Sequence, residues 1–218
     1  MRVAIAGGHG KIALLLTRTL SERGAEVASM IRTPDHETDV REAGGEPVLC
    51  DLEAASEQQV AEGIASADAV VFAAGAGPGS GPDRKWTVDH GAAVKLIAAA
   101  ATNRIGRYVM VSSIGADPSR EGDDTFSVYL RAKGQADVEL QASGLDYTIV
   151  RPASLTDDPG SGRVRVAEHV GGGSISRADV AAVLAAVLDE PATAGSTFEL
   201  ASGDVPVEQA MASLVGRR

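Results

Sequence analysis

The stretch Val3–Leu16, VAIAGGHGKIALLL, passes from an apolar run through a glycine-rich segment into apolar residues at helical spacing. Within it, Gly7, Gly10 and Ala13 have the spacing G-x-x-G-x-x-A. Between a strand and a helix, the first glycine permits a tight turn and the second lets the backbone approach phosphate oxygens. The alanine lets the helix pack closely on the sheet. Because the N–H groups at a helix start attract anions, this stretch predicts a pyrophosphate-binding loop.

Strand-like and helix-like segments alternate along the remaining chain. The predicted strands are Arg2–Ala6, Glu26–Ile31, Pro47–Cys50, Ala69–Ala73, Tyr108–Val111, Tyr147–Val150 and Thr197–Leu200. Their uninterrupted apolar character is typical of strands buried on both faces. Six βα units in order indicate an α/β fold of the Rossmann type, a doubly wound parallel sheet with helices on both faces. We expect a single domain over residues 1–218.

Glycine and proline mark the predicted loops. Gly75–Lys85 and Ser112–Asp124 follow strands, and Pro152–Ser174 is predicted to be irregular. Helices are predicted at Gly10–Arg23, Arg84–Ala101 and Ser127–Ser143, with further helices that begin at Thr33, Ser56 and Ser176. Ligands of such sheets bind at the carboxyl ends of the strands. Residues 152–175 are therefore expected to provide a small substrate-pocket region.

Composition excludes several function classes. The 218 residues are 44% hydrophobic and 23% charged, and the formal net charge is −10. An acidic chain without a basic run favours neither a nucleic acid nor a membrane surface as partner. Cys50 is the single cysteine, so no internal disulfide can form, and no metal-ligand spacing occurs. We expect a cytoplasmic protein, since neither a signal segment nor a span of about 18 apolar residues is present. Oligomeric state stays open.

The end of the second predicted strand bears on the choice of dinucleotide. An acidic residue at this position would bind a ribose 2′-hydroxyl, whereas the sequence reads SMIRT, with Arg32. A cation suits a 2′-phosphate and favours NADP(H) over NAD(H), although a solvated surface arginine is the alternative. Asp51, followed by Leu52, either lies near the adenine or starts a helix, and the sequence leaves both open.

Several further strings join the glycine spacing. They are CDLE at Cys50–Glu53, AAGAG at Ala73–Gly77, VDHGAAVKLI at Val88–Ile97, YVMVSSIGA at Tyr108–Ala116, YLRAK at Tyr129–Lys133, GLDYTIVRPASLTD at Gly144–Asp157 and SISRADVA at Ser174–Ala181. With these strings the chain resembles the atypical, NmrA-like and sugar-epimerase-like branch of the short-chain dehydrogenase/reductase superfamily. The resemblance covers nearly the whole chain and implies NAD(P) bound across a Rossmann sheet. With the patterns above, it gives expected cofactor contacts at Gly7, Gly10, Lys11, Ile12, Arg32, Asp51, Leu52, Ala74, Gly75, Ser112, Lys133, Pro152 and Ala153.

Tyr129 and Lys133 are four residues apart in a predicted helix and therefore share one face. A phenol ordinarily titrates near about pH 10, and a neighbouring ammonium stabilises its phenolate form. The resemblance implies a Ser–Tyr–Lys set with Ser113 as the serine, Tyr129 as acid or base and Lys133 as its partner. A Tyr–Lys pair on an exposed helix surface is the alternative. Asp89 departs from the family, which often has asparagine there, and could be a helix-start charge.

The sequence is compatible with three functions. The favoured one is an NADP(H)-dependent oxidoreductase that transfers hydride to or from a small carbonyl, quinone or flavin-like substrate. The second is a nucleotide-sugar epimerase or dehydratase, although such enzymes usually carry a longer substrate domain. The third is a redox sensor or regulator that binds NADP(H) without turnover. The Tyr129–Lys133 pair distinguishes the sensor from the enzymes, since a sensor does not need it at the nicotinamide.

Overall fold

The computed structural model describes residues 1–77 and 79–215. The strands of this part are β1 Arg2–Ala6, β2 Glu26–Ile31, β3 Glu46–Leu49, β4 Ala69–Phe72, β5 Arg107–Val111, β6 Asp146–Pro152, β7 Ser154–Thr156, β8 Arg163–Ala167, β9 Ser174–Ser176, β10 Ser196–Ser202 and β11 Val205–Pro206. Nine of them form one sheet in the order β11-β8-β10-β6-β5-β4-β1-β2-β3, and β7 pairs with β9 separately.

Helices cover both faces of the nine-stranded sheet. They are α1 Lys11–Glu22, α2 Glu37–Glu42, α3 Glu57–Gly63, α4 Pro82–Arg84, α5 Ala93–Thr102, α6 Thr125–Ala142, α7 Arg177–Asp189 and α8 Val207–Val215. A π-helical segment, Lys85–Ala92, joins α4 to α5, and short 3₁₀ turns lie at Pro34–His36 and Pro191–Thr193. One core cluster includes Leu16 of α1 and Val183 of α7, while the other includes Leu96 of α5 and Leu140 of α6. The sheet is therefore buried from both sides.

Every neighbouring strand pair from β10 to β3 is parallel. The chain leaves β1 for β2 in one direction and later returns to place β4 on the other side of β1. This reversal of strand order opens a crevice at the carboxyl ends of β1 and β4, where α/β sheets bind their ligands. The predicted Rossmann fold is confirmed, and the predicted glycine loop lies at the crevice.

The region Pro152–Ser174, predicted to be irregular, contains strands, and the prediction was wrong in this respect. β8 has the sequence RVRVA, in which Val164 is fully buried and the flanking Arg163 and Arg165 are exposed. This alternation is typical of a strand with one solvated face, and β8 pairs antiparallel with β10 on one side and with the two-residue edge strand β11 on the other. The glycines and prolines around it obscured the pattern.

Local capping signals explain where the helices begin. The predicted capping box is present, because Ser56 Oγ accepts a hydrogen bond from Gln59 N–H and the Gln59 side chain accepts one from Ser56 N–H. Helix α6 begins two residues before the predicted Ser127. Its start is set by the Asp124 carboxylate, which accepts from two backbone N–H groups of the first turn.

Candidate active site

The glycine loop between β1 and α1 is shaped by close backbone contact. Gly7 has φ +81°, and a Cβ atom there would lie 2.6 Å from the Cα atom of Ala74. Gly10 is the N-cap of α1 and supplies no side-chain hydrogen bond to the first turn. The first N–H groups of α1 have no intrahelical acceptors, so they can bind an anion at this point.

A cavity of about 300 Å³, the glycine-loop cavity, lies at the carboxyl ends of β1 to β4. Seven of the expected cofactor contacts line it: Gly7, Gly10, Arg32, Asp51, Leu52, Ala74 and Gly75. Asp51 Oδ1 accepts a hydrogen bond from Glu53 N–H, so this carboxylate stabilises the turn after β3. Asp51 does not start a helix, since α3 begins at Glu57 after the Ser56 N-cap. The turn that Asp51 stabilises borders the cavity, and its contact with an adenine stays a prediction.

Arg32 lies at the end of the glycine-loop cavity together with two histidines. The His9 and His36 rings stack with centroids 3.7 Å apart, and His9 Nε2 lies 2.6 Å from Asp39 Oδ2. Desolvation lowers the pKa of His36. The exposed Arg32 guanidinium donates no hydrogen bond to any residue of 1–77 and 79–215. This cation is therefore available to a ligand.

A second cavity of about 480 Å³, the Tyr129 cavity, continues from the first. The two share Ala73–Gly77, the loop that follows β4. Ile12, Tyr129, Lys133 and Ser112 line the second cavity. Helix α6 thus brings Tyr129 and Lys133 to the same crevice as the glycine loop.

Lys133 is buried, and its ammonium group is fully engaged by the protein. Its Nζ donates to the carbonyl oxygens of Val111, at 3.1 Å, and Ala74, at 3.5 Å, and lies 3.4 Å from Asp89 Oδ1. Asp89 is 0% exposed and also accepts from Ala76 N–H. The interpretation of Asp89 as a helix-start charge was wrong, because Asp89 lies in the middle of the π-helical segment and forms a buried ion pair with Lys133 of α6.

Ser112 and Ser113 have different environments. The Ser112 hydroxyl lines the Tyr129 cavity but donates a hydrogen bond of 2.9 Å to Asp137 Oδ2. Arg151 also binds this carboxylate, at 2.9 Å, while burial raises the pKa of Asp137. Ser113 donates to its neighbour Ile114 O and is not among the described residues that line either cavity. Sequence reasoning missed Asp137, although its position four residues after Lys133 places it on the same helix face.

The remaining expected cofactor contacts do not all lie at the two cavities. Gly75 lines both cavities. Pro152 and Ala153 are buried at the end of β6 and, within the described chain, line neither of the two cavities. Lys11 is exposed, and its ammonium pairs with Asp157, which Arg177 also contacts. Asp179 accepts hydrogen bonds from the backbone N–H groups of Ser161 and Gly162.

We expect Gly7→Ala to destabilise the protein and weaken its binding of NADPH. The methyl group would force Ala74 away, and the left-handed backbone conformation costs roughly 1–3 kcal/mol for a non-glycine residue. Gly24→Ala is the matched control, since Gly24 has φ +80° and the methyl group would meet no packed atom within 4 Å. Calorimetric melting and NADPH titration measure both effects. Equal results for the two variants would show that the contact with Ala74 is unimportant.

Comparison with known proteins bears on the family. A profile of the family described as NAD(P)H-binding matches residues 7–191. The chain belongs to this family. It is 37% identical over 215 residues to YhfK of Bacillus subtilis, an uncharacterized sugar epimerase, with 98% of this chain and 100% of that protein covered. It is 31% identical over 170 residues to a farnesyl-dihydroquinoline-oxide ketoreductase of Stigmatella aurantiaca, of which 49% is covered.

A solved structure from Bacillus halodurans, of a provisionally assigned NAD-dependent epimerase/dehydratase, has the same fold. The TM-score is 0.91 at 40% sequence identity, and the match covers 98% of this chain and 99% of that one. The residues present here fit the dinucleotide that the family binds. The glycine loop has no side chain that would block a pyrophosphate, and the start of α1 has no side-chain cap. The two adjoining cavities offer room for the adenosine part of the dinucleotide at one end and the nicotinamide part at the other.

Membrane spans and metal clusters are both absent from residues 1–77 and 79–215. No helix in this part of the chain is both long enough and apolar enough to cross a lipid bilayer. Within the same residues, no group of three or more His, Cys, Asp or Glu side chains is placed to hold a metal ion.

Proposed function

We propose that this protein is an NADP(H)-dependent oxidoreductase that transfers hydride to or from a small carbonyl, quinone or flavin-like substrate. One observation carries the proposal. Tyr129, the acid or base of the Ser–Tyr–Lys set, lines a cavity that shares Ala73–Gly77 with the glycine-loop cavity. A phenol thereby lines a space of about 480 Å³ that adjoins the glycine-loop cavity, where we expect the dinucleotide to bind.

Each residue has a distinct role in the proposed reaction. When bound, the nicotinamide supplies or accepts the hydride. In the reductive direction Tyr129 donates its hydroxyl proton to the substrate oxygen and later regains a proton from solvent. Lys133 holds the loop after β4 through Ala74 O and contributes positive charge, which Asp89 balances. Ser112 lines the cavity wall and donates a hydrogen bond to Asp137, whereas Ser113 donates to Ile114 O and lines neither cavity within the described chain, so the proposed reaction gives it no contact with the substrate.

Activity is tested by following NADPH oxidation with a panel of aldehydes, ketones, quinones and free flavin. NADPH carrying two deuterium atoms at C4 reports the transfer to an aldehyde or ketone, because the label stays on the carbinol carbon of the product. With a quinone or flavin the transferred hydrogen exchanges with solvent, so the reduced acceptor itself is measured by its absorbance. We expect turnover of at least one acceptor, with labelled alcohol or reduced quinone or flavin formed in step with NADPH oxidation. NADPH oxidation without reduction of any acceptor would contradict the proposal, as would no oxidation at all.

Arg32 supports NADP(H) as the preferred cofactor, because its guanidinium lines the glycine-loop cavity and is free to bind a 2′-phosphate. We expect Arg32→Ala to weaken NADPH binding about ten- to a hundredfold, the effect of a lost charge-assisted hydrogen bond, and to leave NADH binding nearly unchanged. Fluorescence titration with both cofactors measures this. Arg41→Ala is the control, since Arg41 pairs with Glu37 on the exposed surface of α2. Equal loss for both cofactors, or none, would refute the assignment.

A second candidate, a sugar epimerase or dehydratase, is favoured by the names of the relatives from the two Bacillus species. An epimerase returns the hydride to its substrate and leaves the dinucleotide unchanged overall. The labelled-NADPH experiment separates the two candidates, because net NADPH consumption occurs only with the oxidoreductase. A sensor without turnover would show neither reaction while still binding NADPH.

A further inference from the structure

Lys85 is a buried cation that the proposed reaction does not use. It is 7% exposed and belongs to the π-helical segment, on the wall of the Tyr129 cavity. Its Nζ donates to Gly77 O and Ser80 Oγ, both at 2.9 Å. An ammonium group has three N–H donors, and the third has no acceptor among the described residues. A donor on the cavity wall is therefore free.

The charges of the Tyr129 cavity do not cancel. Its charged lining residues are Lys85, Asp89 and Lys133. Asp89 pairs with Lys133, and Lys85 pairs with no carboxylate among residues 1–77 and 79–215. A buried charge without a counterion is costly. The cavity therefore has one positive charge in excess, and an anionic ligand would relieve that cost.

Apolar and aromatic side chains form the outer wall of the same cavity. Phe126 is 61% exposed and Leu155 is 38% exposed. The Phe126 and Tyr129 rings lie 6.1 Å apart with 27° between their planes, and Lys85 Nζ lies 5.6 Å from the Tyr129 ring centroid. A planar, apolar ligand could cover the exposed rings while an anionic substituent reaches Lys85.

We propose that Lys85 binds the anionic group, a carboxylate or a phosphate, of a substrate with an apolar, planar body. That the bound molecule is a substrate rests on the proposed function, whereas the anion site itself does not. Lys85 is a specificity-determining residue in this proposal, whereas Tyr129 acts on the reacting atoms. The excess positive charge is local to the cavity, and the chain as a whole has a formal charge of −10.

Three fluorescent probes of similar shape test the site without any turnover: 2-naphthoate, 2-naphthyl phosphate and the neutral 2-naphthamide. Each is titrated into the full-length protein with and without saturating NADP⁺. We expect at least one anion to bind about tenfold or more tightly than the amide, and Lys85→Gln to remove that preference. Comparison of the two anions distinguishes a carboxylate from a phosphate site. Lys85→Arg, which keeps the charge, should retain much of the preference.

Controls separate anion binding from a structural role of Lys85. Arg131→Gln removes a nearby cation that lies over the Trp86 ring and donates to backbone carbonyls outside the cavity, so the preference should persist. Equal binding of anions and amide by the wild-type protein, or no binding of either anion at millimolar concentration, would overturn the proposal. So would a Lys85→Gln variant that melts at a lower temperature yet keeps the preference. Anion binding without NADPH oxidation would support the site and contradict the reductase.

Discussion

Tyr129→Phe should lower kcat for carbonyl reduction by about 10²- to 10⁴-fold, the usual contribution of a positioned general acid. The substitution removes one hydroxyl and keeps the ring that faces Phe126 and Lys85. Cofactor binding should be nearly unchanged, because only one oxygen atom is lost and Tyr129 does not line the glycine-loop cavity, where we expect the pyrophosphate. Steady-state kinetics with the best acceptor from the panel and an NADPH titration measure the two quantities.

Tyr147→Phe is the matched control for this experiment. Tyr147 lies in β6 and, unlike Tyr129, is not among the described residues that line the two cavities. Its variant should have nearly the wild-type kcat. If Tyr129→Phe and Tyr147→Phe have the same activity, Tyr129 is not the acid, and the proton must come from another group or from water.

Lys133→Met should destabilise the protein by about 3–5 kcal/mol, because it leaves Asp89 buried without its counterion. For a chain of this size, each kcal/mol lowers the melting temperature by roughly 2–4 °C. The carbonyl groups of Val111 and Ala74 also lose a donor. Calorimetric or circular-dichroism melting measures the loss directly, whether or not the substrate is known.

The double variant Lys133→Met/Asp89→Asn is the control. Neutralising Asp89 removes the uncompensated charge, so the double variant should melt at a higher temperature than Lys133→Met alone. An amide at position 89 can still accept from Ala76 N–H. If the single and double variants have the same melting temperature, the ion pair between Lys133 and Asp89 does not contribute to the stability of the protein.

The sequence predicted most of the fold because its signals are local. The glycine spacing after β1, the apolar strands and the caps at Ser56 and Ser176 all depend on residues within a few positions of one another. Strand β8 was not predicted, because its alternation of exposed and buried residues is only five residues long and is flanked by glycines. A single-domain organisation of residues 1–218 remains a prediction.

The site was predictable only in part, for a physical reason. Tyr129 and Lys133 are one helical turn apart, so periodicity alone places them together. The pairing of Lys133 with Asp89, and that of Ser112 with Asp137, joins segments 44 and 25 residues apart in the chain. The position of Lys85 depends on the π-helical segment, which widens the helix between α4 and α5. No local pattern in the sequence predicts such contacts.

The most direct measurement is a crystal structure of the complex with NADP⁺, for the distance between Tyr129 Oη and nicotinamide C4. We expect the pyrophosphate on Gly7 and Gly10 and the nicotinamide ring in the Tyr129 cavity. C4 and Oη should then be close enough for one carbonyl group to reach both, with reacting atoms about 3–3.5 Å apart. A nicotinamide ring outside this cavity, or a phenol turned away from C4, would contradict the proposed oxidoreductase while leaving the dinucleotide fold intact.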